Sequence, residues 1–294
     1  MVFYSFNLLN LQIMIETPFD QIKKLLSKEI PSESVSKIPD KWEKIGDVVT
    51  IKLPAELSRY EKKIGEKYAE ILKCKTTLRD ISGISGVYRE PNVKIIYGNK
   101  KTETIHIENG IRYKLDPQKI MFSSGNMDER IRMAKISNSK EMVIDLFAGI
   151  GYFTLPMAVY SKPKKIFACE INPVAYEYLC ENIVLNNVTS VVEPLLGDNR
   201  TIAPKNVANR VIMGYIDDTH KFLPIAIECL KNKTGIIHYH EVCPNKLFPE
   251  RPLKNVQEAS EKYKRKVDLL NYKCIKSYAP GVSHYVLDIK IGEK

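Results

Sequence analysis

One stretch, Met142-Val-Ile-Asp-Leu-Phe-Ala-Gly-Ile-Gly151, constrains this chain more than any other. A short apolar run holding one carboxylate, Asp145, breaks into two glycines, and an apolar, helix-compatible segment over 152–160 comes at once after them. The reading is strand, tight turn, helix. Small residues at Ala148, Gly149 and Gly151 let the backbone come close to a ligand where a Cβ would intervene. Dinucleotide enzymes use similar turns, so the glycines alone do not separate a nucleotide site from a structural turn. The residues beyond the turn separate them.

There the alternation is regular. Residues 165–169 form a short apolar strand ending in Glu170. That lies about 20 residues past the glycines, where doubly wound sheets place a carboxylate against ribose hydroxyls. Asn172-Pro173 opens a helix through Asn187, and a strand over 191–196 delivers Gly197-Asp198-Asn199 to its carboxyl end, a setting that suits an adenine amino group. A fourth strand spans 210–216, a helix 222–230 and a fifth strand 235–239. Val256, Ala259, Tyr263, Val267 and Leu270 keep helical spacing and predict a helix over 255–270. Strands over 273–278 and 285–289, joined through Ala279-Pro-Gly-Val-Ser283, close the chain.

Five βα units with a terminal hairpin depart from the ordinary dinucleotide pattern. They match the α/β, Rossmann-like layout of class I S-adenosylmethionine-dependent transferases, a seven-stranded sheet whose seventh strand is inserted antiparallel. Every ligand candidate lies at the carboxyl end of a strand, where open parallel sheets bind ligands. Asp145, Gly149, Glu170 and Asp198 each admit a structural role alone; their order and placement together favour a nucleoside site.

Upstream, residues 1–118 read as a smaller α+β domain and 119–294 as the Rossmann-like domain. Phe19, Ile22, Leu25 and Leu26 share one face of a helix over 19–29 that Pro31 stops. A strand over 47–53 ends at Pro54, and Ser58 caps a helix through Lys73. The glycine-rich stretch 81–91 reads as a loop between strands. Extended segments over 93–97 and 104–108 come next, and Asn109-Gly110 pairs the latter with 111–115 in a hairpin. Asn126 or Asp128 caps a helix through Ala134, whose Arg130 and Arg132 are either surface residues or a planar fork gripping a ligand carboxylate. The first fifteen residues hold no charge and no basic start. They read as a buried strand, or as an extension ahead of a start at Met14.

With 44% hydrophobic and 27% charged residues, disorder and membrane spans are excluded as organising principles. Six cysteines without a CxxC pair indicate reduced thiols and a cytoplasmic location. The net charge of +10 favours polyanions. Residues 251–276 hold eight basic and three acidic side chains, either a solvated face or phosphate contacts. His238 and His240 alternate and so share one strand face, but no Cys or Asp stands at ligand spacing, so they read as satisfied or surface histidines and no metal is expected. His284 reads as structural.

Taken together, 144–151, Cys169-Glu-Ile-Asn-Pro173, Gly197-Asp-Asn199 and Ala279-Pro-Gly-Val-Ser-His284 resemble the archaeal and eukaryotic enzymes that modify the guanosine at position 37 of tRNA. The resemblance extends upstream through 81–91 and 122–132 and covers most of the chain. One branch methylates guanine N1 and carries an Asn-Leu-Pro or Asn-Pro-Pro type motif after the fourth strand. Here that place reads Met213-Gly214-Tyr215-Ile216. The chain is instead similar to the wybutosine-pathway branch, which transfers the 3-amino-3-carboxypropyl group of S-adenosylmethionine to a tricyclic guanosine derivative. Phe122-Ser-Ser-Gly-Asn126 also looks like that branch.

The resemblance implies that Ser123 and Arg130 bind the donor's carboxylate. It places Asp145, Phe147 and Gly149 in the donor turn, Glu170 and Ile171 at the ribose, and Asp198 and Asn199 at adenine. Asp217 and Tyr215 are candidates for positioning the acceptor, although Asp217 and Asp218 equally suit a helix cap. S-adenosylmethionine is expected as co-substrate, without a metal, and a tRNA, tRNA(Phe), as partner of a monomer with no membrane association. Tyr88, Arg89 and Tyr113 are candidate RNA contacts. The donor's sulfonium activates three adjacent carbons, so positioning selects which one is attacked. Two alternatives stand beside this reading: the related N1-methyltransferase, and a tRNA-binding protein that no longer catalyses.

Overall fold

The computed structural model describes residues 16–293, so the expectations for the first fifteen residues lie outside the described chain. The described residues form two compact units. One runs through Ile81 and adds Val93–Lys101; the other takes Ser82–Asn92 and the chain from Thr102 onward. Where the sequence places a boundary at 118, the units part at 101/102, so the Asn109-Gly110 hairpin falls in the larger one.

The smaller unit opens with α1 (Pro18–Leu26). Thr17 and Asp20 close a reciprocal capping box, and Pro18 occupies the first turn, where its missing N–H costs nothing. Ile22 and Leu26 point from α1 into the core with Val49, Ile51, Ile64 and Tyr68. After α2 (Ser32–Val35) comes β1 (Trp42–Ile45), then β2 (Val48–Ile51), an antiparallel pair turning at Gly46. β1 escapes sequence reading because it is four residues long and buries only Ile45 fully. A 3-10 turn, Ala55–Tyr60, precedes α3 (Glu61–Leu72). The Ser58 hydroxyl donates back to the Ala55 carbonyl at 2.6 Å rather than capping, and the helix expected from Ser58 begins later. β3 (Thr76–Ser85) and β4 (Glu90–Gly98) complete the sheet order β1-β2-β3-β4, with β2 and β3 parallel. The glycine-rich stretch expected as a loop is thus mostly strand, and only residues 86–89 turn.

The larger unit begins with the hairpin of β5 (Thr104–Glu108) and β6 (Ile111–Leu115), then α4 (Met127–Met133). Its sheet comprises β7 (Met142–Asp145), β8 (Lys165–Glu170), β9 (Val192–Leu196), β10 (Arg210–Met213), β11 (Gly235–Pro244), β12 (Arg265–Ala279) and β13 (Val282–Glu293). The helices between are α5 (Thr154–Pro156, continued by a π turn over Met157–Ser161), α6 (Pro173–Leu185), α7 (Asn199–Ile202), α8 (Leu223–Cys229) and α9 (Glu250–Glu261). The spatial order is β12-β13-β11-β10-β7-β8-β9, all parallel from β11 to β9, with β13 antiparallel between β11 and β12. This is the seven-stranded class I layout. From β7 the chain builds outward through β8 and β9, then returns to the other flank with β10 and β11. That reversal opens a crevice beyond the carboxyl end of β7, the place where open α/β sheets bind ligands.

One expectation for this unit fails outright. The helix read over 255–270 ends at Glu261; Lys264 takes a left-handed φ of 55°, and Arg265 already begins β12. Val256 and Ala259 face the core from α9, whereas Val267 and Leu269 pack on it from the strand with the two-residue spacing of a sheet. Leu270, counted as a helical core position, is 54% exposed beside a bulge between Leu269 and Asn271.

Candidate active site

The turn after β7 is held on both sides by its neighbours. Leu146 N–H donates to the Ile212 carbonyl of β10 (3.0 Å), and Ala148 N–H to the Cys169 carbonyl of β8 (2.9 Å). Beneath it Asp145, fully buried, accepts from the Thr154 hydroxyl (2.8 Å) and the Phe147 N–H (3.2 Å). Burial pushes its carboxyl up to about 6, with nearby Glu170 adding to the rise. Asp145 therefore ties the turn together from below. Gly149 adopts φ +57°, and a Cβ there would come within 2.6 Å of the Tyr152 ring.

At the end of β8, Glu170 accepts from Gly149 N–H (2.7 Å) through one oxygen and from Asn172 N–H (2.8 Å) through the other. Burial raises its pKa. Ile171, next in sequence, stays 39% exposed, an apolar side chain just past the carboxyl end of β8. Across the crevice Asp198 caps α7 through Arg200 N–H (2.9 Å) and pairs with the Arg200 guanidinium, which holds its carboxyl below the ordinary value. The Asn199 amide donates to the Leu146 carbonyl at 2.8 Å, while its buried oxygen has no partner among the described residues.

On the β10 flank, Phe147 stacks on Tyr215 (5.1 Å between ring centres, 14° between planes) and meets Phe222 edge-on at 5.0 Å. Arg89, on the 86–89 turn within the same unit, lies 5.9 Å over the Tyr215 ring and forms an ion pair with Asp217. The Asn172 side chain donates to the Tyr88 carbonyl at 3.2 Å. Asp217 therefore already has a cationic partner. Asp218 pairs with Lys221 at 2.6 Å, and its side chain does not cap the following 3-10 turn. Tyr113, a candidate RNA contact, is buried against Phe122 and Tyr152.

The segment ahead of the turn is organised differently from the sequence expectation. Arg130 is only 3% exposed, and its fork is filled by Glu108, with Nε to Oε1 at 2.5 Å and Nη2 to Oε2 at 2.6 Å. Nη1 donates to the Ser123 carbonyl (3.0 Å). The Ser123 hydroxyl accepts instead from Lys276 Nζ at 2.6 Å. Arg132 is held by Glu129 and Asp288, the latter at 2.7 Å.

The strand histidines do share a face, and it is a buried one. His238 accepts from Arg210 (2.6 Å) and donates to Asp288 (2.5 Å), and burial lowers its pKa. His240 and His284 share a hydrogen bond of 3.0 Å. His240 also stacks on Phe153, 5.2 Å between ring centres. The Phe153 ring fills the space at Gly214, where a Cβ would lie 2.7 Å from it.

The structure thus places Phe147, Gly149, Glu170, Ile171, Asp198 and Asn199 beyond the carboxyl ends of the neighbouring strands β7, β8 and β9, with Asp145 buried beneath the turn and Tyr215 and Asp217 beyond the end of β10. Ser123 and Arg130 belong to a segment joined to the crevice through Tyr152, whose hydroxyl donates to the Met121 carbonyl and whose ring packs on Phe122 at 5.6 Å. Glu108, Tyr152, Phe222 and Lys276 went unread in the sequence. Glu108 alone had a local signal, as the residue before the Asn109-Gly110 turn.

The TRM5/TYW2 methyltransferase domain profile matches residues 104–270, more than half of the chain, and the TYW2 N-terminal domain profile matches residues 22–102. The chain belongs to the TRM5/TYW2 family. Two family members from archaea are named tRNA(Phe) (4-demethylwyosine(37)-C(7)) aminocarboxypropyltransferase. That of Methanocaldococcus jannaschii is 52% identical over 250 residues (85% of this chain, 97% of the relative), and that of Pyrococcus horikoshii 45% identical over 271 residues (92% and 96%). The solved structure of P. horikoshii TYW2 in complex with MeSAdo superposes with a TM-score of 0.84 at 43% identity, covering 94% of this chain and all of that one.

Proposed function

We propose that this chain transfers the 3-amino-3-carboxypropyl group of S-adenosylmethionine to C7 of 4-demethylwyosine at position 37 of tRNA(Phe), releasing methylthioadenosine. The observation that carries the reading is likeness over nearly the full length to two aminocarboxypropyltransferases, joined to a crevice whose chemistry suits the donor. Its fit rests on features of this chain. A backbone without a Cβ at Gly149 faces a carboxylate at Glu170, and Asn199 keeps a buried acceptor without a partner among the described residues.

Glu170 would hold the ribose hydroxyls while anchoring Gly149, and Ile171 and Phe147 would flank the adenosine. Asp198 and the backbone at Asn199 would read the adenine edge. When bound, the donor supplies a carbon already activated by its sulfonium, so the protein's share of catalysis is chiefly placement. The stacked Phe147-Tyr215 pair, met edge-on by Phe222, offers aromatic surface for a tricyclic base. Tyr215 and Asp217 act as positioning residues, since the Asp217 carboxylate is neutralised by Arg89. The stretch Met213-Gly214-Tyr215-Ile216 also lacks the Asn of the methylating branch's motif, and a Cβ at Gly214 would lie 2.7 Å from the Phe153 ring.

The smaller N-terminal part would grip the tRNA together with basic faces of the catalytic part, in keeping with a net charge of +10. Among the described residues no helix is long and apolar enough to cross a membrane. We infer a monomer acting on tRNA in the cytoplasm.

The test supplies tRNA(Phe) carrying 4-demethylwyosine and S-adenosylmethionine, digests the product to nucleosides and weighs them. A tricyclic nucleoside heavier by one aminocarboxypropyl group supports the proposal. Methylation of unmodified guanosine, with the tricyclic base untouched, overturns it.

A further inference from the structure

The Asp198 carboxylate, which would read the adenine edge, has its acceptor positions taken. A carboxylate offers about four lone-pair sites. Oδ1 accepts from Arg200 N–H and from Arg200 Nε, both at 2.9 Å, and Oδ2 accepts from Nε at 3.0 Å and from Nη2. All of these bonds come from one residue. The backbone bond is the cap of α7, so an adenine amino group gains an oxygen only when the Arg200 side chain leaves.

That side chain is free to leave. It is 64% exposed, its pairing spans only two residues, and exposed ion pairs of this kind are weak. The guanidinium also has a second place to bind. It lies 5.6 Å over the Phe222 ring, and Phe222 meets both Phe147 and Tyr215, the aromatic surface offered to the acceptor base. Its Nη1 has no hydrogen-bond partner among the described residues. A base on that surface carries its phosphate one ribose away, and a guanidinium grips phosphate with the same planar fork it uses on a carboxylate. Arg89, the other cation over these rings, is more enclosed, with its side chain 25% exposed and its charge held by Asp217.

We propose that Arg200 exchanges partners as the substrates bind: it closes Asp198 in the free enzyme and moves to the backbone phosphate of the acceptor nucleotide when tRNA arrives, releasing Asp198 to the donor's adenine amino group. This rests on the reading of the site as a donor site for tRNA modification, and deepens it. One side chain then couples the two substrates. By linkage, tRNA tightens adenosine binding by the factor with which adenosine tightens tRNA binding.

Methylthioadenosine is the probe, since it carries the adenine and has no group to transfer. Calorimetry measures its affinity with and without saturating tRNA(Phe) carrying 4-demethylwyosine. The wild type binds it about two- to fivefold more tightly with tRNA present, the range for releasing one exposed ion pair. Arg200→Met removes the competitor, so it shows that gain without tRNA, and tRNA adds little more. In filter binding, its tRNA affinity falls less steeply with salt, by about one phosphate contact. Adding Asp198→Ser, which keeps a helix cap but shortens the side chain, removes the gain. No tRNA effect in the wild type, no gain in Arg200→Met, or an undiminished tRNA effect in that variant overturns the exchange. A gain that persists in the double variant overturns the adenine role of Asp198, and a wild-type protein that binds no methylthioadenosine overturns the donor reading itself.

Discussion

Replacing Gly149 by Ala perturbs the glycine turn at one carbon, and the structure sets the size of the effect. The backbone stands at φ +57°, a conformation that costs an L-residue about 1–2 kcal/mol. The new Cβ would lie 2.6 Å from Tyr152 Cε2 and 2.8 Å from Cδ2, so the ring must move. It has little freedom: its hydroxyl donates to the Met121 carbonyl, and its faces pack against Phe122 and Tyr113. Overpacking of this kind costs about 1–3 kcal/mol, for a total of about 2–5 kcal/mol. Urea denaturation monitored by circular dichroism reads the loss as a lower midpoint at unchanged slope. Combining Gly149→Ala with Tyr152→Leu should return the steric part, a favourable coupling of about 1–3 kcal/mol in a double-mutant cycle. The shift would also stretch the Gly149 N–H bond to Glu170, so S-adenosylmethionine binding should weaken in the single variant. A stability loss below about 1 kcal/mol, or no relief on shrinking Tyr152, would refute the reasoning.

Three further outcomes depend on particular residues. Asp145 holds its proton more tightly folded, at about 6 against an ordinary 3.8, so the native state binds the extra proton and stability falls as pH rises through that window, by about 3 kcal/mol. Urea midpoints at about pH 4 and pH 7 should show that fall in the wild type and a smaller one in Asp145→Asn; identical pH slopes contradict it. Arg130→Met should cost about 3–5 kcal/mol by stranding Glu108, and pairing it with Glu108→Leu should recover most of the loss. A single variant as stable as wild type in the same denaturation would show the pair is not buried in solution. Affinity for tRNA(Phe) in filter binding should fall at least about tenfold between roughly 50 and 200 mM salt, and less steeply once Lys262, Lys264 and Lys266 are replaced by Gln. A flat salt response would remove the phosphate contacts from the picture.

The features legible in the sequence were local. The Gly149 turn, Glu170 and Asp198 at strand ends and the Asn109-Gly110 hairpin each depend on neighbours a few residues away, and each stands where the pattern placed it; that Asp198 also caps α7 was not read. The helix read over 255–270 failed because apolar residues from α9 and β12 together mimic a 3.6 period, and only the left-handed turn at Lys264 separates them. The segment from Ser123 to Arg130 was hardest to read. Arg130 looked like a free fork because its partner, Glu108, is 22 residues away, and Lys276 meets Ser123 across 153 residues. Such pairings depend on sheet topology, which periodicity does not encode. The histidines at 238 and 240 were rightly placed on one face, yet the partner that fixes His238, Asp288, comes from the antiparallel strand β13.

Which carbon of the donor leaves is the central question, and the by-product answers it. S-adenosylmethionine labelled in its adenosine is turned over with tRNA(Phe) carrying 4-demethylwyosine, and the small molecules are separated by chromatography. Label recovered as methylthioadenosine, in step with modified tRNA, is the expected result. Label recovered as S-adenosylhomocysteine contradicts aminocarboxypropyl transfer and makes the chain a methyltransferase.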